Sequence, residues 1–154
     1  MKNRPPIYFL LSLLVFLADQ ASKNFIRGHV APFETIVVMP FFNIIHAENI
    51  GSAFGMFKSL GNTFFVIIAL AAMIVVSVLI VKDSRNRLIF SLVLGGAAGN
   101  LMDRIRFGYV VDFLDVYVGR HHWPAFNVAD SALTLGIILL LFRTLMEHKS
   151  TVGR

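Results

Sequence analysis

Apolar residues along this chain come in long runs separated by short polar stretches. The clearest run, "FFVIIALAAMIVVSVLIV" from Phe64 to Val81, has Ser77 as its only polar residue. With Asn62 and Thr63 before it, the segment reaches the roughly 20 residues that a bilayer-crossing helix needs. A second run, from Val128 to Phe142, is apolar except for Asp130, Ser131 and Thr134 near its start. Two further runs are impure. Ile7 to Ala18 gives way to "DQASKNF", and Leu88 to Ala98 gives way to "GNLMDR". Neither is long enough to cross on apolar residues alone, so each must carry polar groups into the membrane or its interface. The pattern predicts an all-α integral membrane protein, a bundle of four transmembrane helices spanning about 7–27, 62–81, 88–106 and 128–146, in one domain over 1–154.

Between the first two spans, about 28–60, the chain is polar enough to lie outside the bilayer but is not disordered in composition. "ETIVVMPFFNIIHAEN" is rich in β-branched and aromatic residues and broken by Pro40. A small extracytoplasmic β-containing segment, a sheet or hairpin on the membrane surface, is expected there.

Composition agrees with a membrane protein: 56% hydrophobic residues, 15% charged and a mean hydropathy of +0.73. The absence of cysteine excludes disulfides, thiolate metal sites and a cysteine nucleophile. A net charge of +5 could suggest nucleic acid, but the basic residues are scattered over loops and ends, so no nucleic-acid partner is expected. The dense loop "KDSRNR" is instead a topology signal, and with it both termini are assigned to the cytoplasm. Seven of the nine acidic residues then fall outside or at outer helix ends. A cleaved signal peptide at the N-terminus is disfavoured, because Asp19 and Gln20 stand where a cleavage site should be.

A carboxylate within a span costs several kcal/mol unless it is paired or faces a wet cavity. Asp19 and Lys23, four apart on one helical face, can satisfy each other in a structural pair. Gly95 and Gly99 form a small-xxx-small ridge suited to close helix packing. Asn100, Asp103 and Arg104 share one helical face beyond it, and Arg104 brings five N–H donors. "NIGSAFG", Asn49 to Gly55, is either a turn or a loop that brings backbone, as at Gly51, close to a ligand, with Asn49 as a donor. Asp112 of "VVDFLDVY" lies just past the third span and Asp130 of "FNVAD" just inside the fourth, at the same depth; Asn127 shares a face with Asp130. Asp115, further from the span, is assigned a supporting, solvated or capping role.

Two carboxylates held close share a proton. The ionised one can take a proton from an attacking water, and the protonated one can polarise a carbonyl and then protonate the leaving nitrogen. No GxSxG, HExxH or SxxK arrangement competes for the role. A metal site at His121 and His122 is disfavoured: adjacent histidines on an extended segment point opposite ways, and "HHWP" reads as an interfacial loop. His29, His46 and His148 are read as surface residues. A four-span ion-coupled transporter and a non-catalytic assembly factor are the rival classes; the first lacks a repeat and midplane acids.

Taken in order, "DQASK", "NIGSAFG", "GGAAGNLMDR", "VVDFLDVY" and "FNVAD" make the whole chain resemble the lipoprotein signal peptidases, the type II signal peptidases of bacterial inner membranes. The resemblance implies an aspartic endopeptidase that removes the signal peptide from diacylglyceryl-modified prolipoproteins, cleaving on the N-terminal side of the lipidated cysteine near the outer face of the inner membrane. It implies no cofactor, membrane lipids and the prolipoprotein as partners, and a monomer. Asp112 and Asp130 match the catalytic positions, and Asn49, Asn100, Arg104 and Asn127 the substrate-contacting ones. Asp19 and Lys23 match supporting positions.

Overall fold

The structure, a computed structural model, describes residues 5–51 and 61–152, the side chains of 148–152 excepted. Ser52 to Gly55 of the glycine loop, the rest of the surface segment to 60, and the His148 side chain therefore lie outside the described residues. Helix α1 runs Pro5–His29, α2 Gly61–Lys82, α3 Arg87–Phe107 and α4 Val128–Val152. All four are long and apolar enough to cross a bilayer.

Helix α3 is the centre of the bundle and packs against α1, α2 and α4. Some 56% of its apolar stretch is buried, against 6% for α2. Small residues let this happen. A Cβ on Gly95 would lie 2.6 Å from the Ser12 carbonyl oxygen and 2.7 Å from Val15 Cβ of α1, and one on Gly96 would lie 2.5 Å from the Ala129 carbonyl oxygen of α4. A Cβ on Gly99 would collide with the Asp19 carboxylate. The glycine ridge thus faces two helices, not one. The apolar side chains that α2 leaves exposed, Ile67, Ile74 and Val75 among them, suit a lipid solvent.

At the α2–α3 turn the Asp83 carboxylate accepts the backbone N–H groups of Arg85 (3.0 Å) and Asn86 (3.3 Å), closing the loop. The Asn86 side-chain amide, donating at 2.7 Å, and then these backbone bonds hold the Asp83 carboxyl below its usual range. At the other end of α3, Gly108 takes the left-handed conformation (φ 81°) and its N–H returns to the Arg104 carbonyl oxygen.

The chain next forms strand β3, Val110–Val118. It pairs antiparallel with β2, Phe42–Asn49, which pairs with β1, Thr35–Met39; β4, His121–His122, closes the order β1-β2-β3-β4. The expected hairpin between the first two helices is present. The sheet, however, also takes two strands from between α3 and α4, where the sequence reading placed only a connecting loop. Aliphatic and aromatic residues of "VVDFLDVYV" can fill a core as readily as they can approach lipid. Val111 and Phe113 bury against Ile26 and Val30 at the end of α1. The sheet is thereby seated on the bundle.

Two readings of individual side chains need correction. His46 is 4% exposed rather than a surface residue; its Nδ1 lies 2.8 Å from the Val30 carbonyl oxygen, which ties β2 to the end of α1. Asp115 is 5% exposed rather than solvated, because the β2–β3 register places Asn43 opposite it.

Candidate active site

The site forms where the sheet meets the start of α4. Ala47 of β2 is opposite Asp112 of β3, so Asn49 lies on the diagonal from Asp112. Asn49 Nδ2 donates to Asp112 Oδ2 at 2.9 Å, and its own Oδ1 accepts the Gly51 N–H at 3.1 Å. Asn127, immediately before α4, donates from Nδ2 to Asp112 Oδ1 at 2.7 Å. Its Oδ1 accepts the Asp130 backbone N–H at 2.9 Å, a helix N-cap. Asn100 of α3 donates to Asp130 Oδ1 at 2.7 Å, and its own oxygen receives Asn127 Nδ2 (3.2 Å) and Lys23 Nζ (2.9 Å). Three asparagines therefore join the two carboxylates into one network.

Asp112 is 3% exposed. Burial, and then the charge of Asp130, push its carboxyl up to about 7 despite the Asn49 and Asn127 bonds. Asp112 and Asp130 both line a cavity of about 1060 Å³. Asn49, Ile50 and Gly51 form one side, Trp123 to Phe126 another, and Ser131, Thr134, Leu135 and Ile138 continue it down α4. Arg104 also lines it, with its guanidinium 5.2 Å from the Phe65 ring centroid of α2.

Beneath the cavity is an ion cluster. Lys23 is fully buried, 2.9 Å from Asp19 and 3.2 Å from Asp103. Asp19 accepts the Ala129 N–H at 2.9 Å and Asp103 the Val111 N–H at 3.1 Å, so these acids hold the backbone beside Asp130 and Asp112. Gln20 was not singled out from the sequence. Its amide donates to the Gly99 carbonyl oxygen (3.1 Å) and to Asp103 (3.1 Å), completing the cluster. A polar residue beside Asp19 in an otherwise apolar span was the available signal. Asp115 stands apart from the cavity with Asn43 and His122. Among the described residues no three His, Cys, Asp or Glu side chains converge as a metal donor set.

Residues 11–146 match the family model described as Signal peptidase (SPase) II. The chain is 45% identical over 134 residues to the lipoprotein signal peptidase of Thermodesulfovibrio yellowstonii, covering 87% of this chain and 91% of that one. It is 41% identical to the lipoprotein signal peptidase of Syntrophus aciditrophicus, covering 96% and 98%. Two solved bacterial membrane enzymes superpose with TM-scores of 0.86 and 0.81, at 33% and 34% identity. The first superposition covers 94% of this chain and 91% of that structure, the second 91% and 93%.

Proposed function

The chain belongs to the signal peptidase II family, bacterial membrane peptidases that remove signal peptides from prolipoproteins, and on that premise we propose that it cleaves as an aspartic endopeptidase with Asp112 and Asp130 as its dyad. The observation that carries this reading is the cavity wall on which both carboxylates stand, joined through Asn127 and Asn100. Asp112, with its carboxyl raised to about 7, holds the shared proton. Asp130 is the ionised member in this scheme, with Asn100 as a donor to it. Asp130 takes a proton from the attacking water as its oxygen bonds to the scissile carbonyl carbon. Asp112 polarises the carbonyl oxygen with its proton and then passes that proton to the amide nitrogen as the C–N bond breaks, which leaves the pair with one proton, now on Asp130.

A signal peptide in lipid satisfies its backbone by helical hydrogen bonds, which must open for cleavage. Asn49, the Gly51 backbone and Arg104 face the same cavity and offer replacement partners to the unwound strand. Leu135 and Ile138 extend its apolar wall along α4, which suits the diacylglyceryl group and neighbouring lipid. Lys82, Arg85 and Arg87 lie at the end of the bundle away from the sheet. Positive charge there favours cytoplasmic termini and an active site at the outer face of the inner membrane. The chain works as one peptidase domain and as a monomer, without a metal.

The test is cleavage of a diacylglyceryl-modified prolipoprotein by purified protein in detergent with EDTA present. Wild type should cleave, while folded Asp112→Asn and Asp130→Asn should lose at least about 10³-fold in kcat. Turnover by either variant at the wild-type rate, or loss of wild-type activity on chelation, would overturn the metal-free dyad.

A further inference from the structure

One buried carboxylate is left unused by this chemistry. Asp115 follows Asp112 by three residues on β3, so its side chain leaves the opposite face of the strand. Asn43 Nδ2 donates to its Oδ2 at 2.8 Å. His122 Nδ1 lies 2.8 Å from Oδ1 and 3.1 Å from Oδ2, and the imidazole stacks on Tyr117 with centroids 5.0 Å apart. With its proton on Nδ1, the ring donates to the carboxylate.

The place of this pair gives it a consequence. Strand β4 has two residues, too few to hold itself to β3 by ladder bonds alone. The residues that follow, Trp123 to Phe126, are one wall of the cavity holding Asp112 and Asp130. That wall hangs between two attachments. At its far end the Phe126 carbonyl oxygen accepts the N–H groups of Phe113 (3.0 Å) and Leu114 (2.8 Å). At its near end are the Trp123 N–H, 2.8 Å from the Val116 carbonyl oxygen, and the His122 side chain on Asp115. A buried carboxylate is a costly fastener unless its partners are in place, and an apolar contact would stabilise the sheet as well. What the hydrogen-bonded pair adds is a directional bond that fixes where the wall stands.

We propose that Asp115 and His122 are positioning residues which set the Trp123–Phe126 wall across the substrate cleft, so that substrate meets a preformed site; this rests on the reading of that cavity as the active site. The pair touches no reacting atom. Its loss loosens substrate binding and leaves the chemical step alone.

Trp123 is the chain's single tryptophan, so its fluorescence reports the wall without any activity. His122→Phe keeps a ring to stack on Tyr117 and removes the donor; His122→Asn offers an amide donor in place of the ring. Full-length protein in detergent would be compared by Trp123 emission, by acrylamide quenching, and by KM and kcat on a lipidated prolipoprotein. His122→Phe should shift the emission, increase quenching and raise KM roughly tenfold, a change of about 1.4 kcal/mol, with kcat little changed; His122→Asn should restore both. Unchanged emission with unchanged KM, or a fall in kcat at constant KM, overturns the proposal. If His122→Phe does not fold, Asn43→Ser frees the other side of Asp115 and is judged by the same two readouts. Asp112→Asn separates the premises: if it still turns over, the dyad fails, while the Trp123 emission of the His122 variants still decides the positioning role.

Discussion

Asn127 donates a 2.7 Å hydrogen bond to the Asp112 carboxylate while its own side-chain oxygen caps the helix that carries Asp130. One amide therefore fixes the distance between a strand and a helix at the two acids. Its sp² geometry leaves little freedom, since both its oxygen and its nitrogen are engaged. The two carboxylates are held by secondary structure on both sides: Asp112 by β2 through Asn49, Asp130 by α3 through Asn100.

The two tasks of Asn127 can be separated. Asn127→Ala removes the cap, costing about 1 kcal/mol, and strips a donor from a buried carboxylate, so both melting temperature and activity should fall. Asn127→Ser retains a capping oxygen but is too short to reach Asp112. Its melting temperature should recover most of the loss while its turnover stays down on the order of 10²-fold. Thermal melts and single-turnover cleavage on the two variants check this, and full activity in the serine variant would place the residue's importance in the cap alone.

The raised Asp112 carboxyl has a pH consequence. Its folded value of about 7 lies above the ordinary 3.8, so its contribution to stability is complete below about pH 4 and is lost as pH rises through about 7. Across that window the unfolded chain gives up a proton that the folded chain keeps. Wild type should therefore lose stability from pH 4 to 7 relative to Asp112→Asn, by a few kcal/mol at most, and the difference should level off above. Melting curves at pH 4 to 9 give the answer; parallel curves would contradict it. Loss of the same proton should make kcat/KM decline above about pH 7.

Close packing on α3 predicts a graded series. A methyl group at Gly95 meets the backbone and Val15 of α1, neither of which can rotate away. Gly95→Ala should cost about 1–3 kcal/mol. Gly108→Ala tests a different cost, since no atom lies within 4 Å but its φ is 81°. That substitution should cost about 1 kcal/mol, from backbone strain alone. Urea or heat unfolding in detergent would rank the two.

The bundle could be read from the sequence because a span leaves a signal every residue contributes to, and the two impure spans became α1 and α3, where polar groups are buried on each other. The carboxylates Asp112 and Asp130 were legible as acids at one depth in a chain otherwise apolar there. Strand β3 was not, because "VVDFLDVYV" gives the same apolar signal whether it enters lipid or a small core. Its pairing with β2, more than 60 residues earlier, leaves no local trace. The burial of Asp115 follows from that pairing, and the burial of His46 from the equally non-local approach of β2 to the Val30 carbonyl oxygen, so both escaped with it.

The ion cluster makes the last prediction. Lys23 is fully buried and balances two buried carboxylates, Asp19 and Asp103, while also donating to Asn100 at 2.9 Å. Lys23→Met would leave two buried acids with only the Arg27 guanidinium, 3.8 Å from Asp103, as a nearby cation. Such a loss costs about 3–5 kcal/mol. Asp103→Asn added to Lys23→Met leaves a single acid, which Gln20 and the Ala129 N–H still reach, so part of the stability should return. Activity should not return with it, because the Lys23 bond to the Asn100 oxygen helps orient the amide that donates to Asp130. Unfolding and cleavage measured on the single and double variants separate the two effects: recovery of both together would make Lys23 a purely structural charge, whereas stability without activity assigns it the orientation of Asn100.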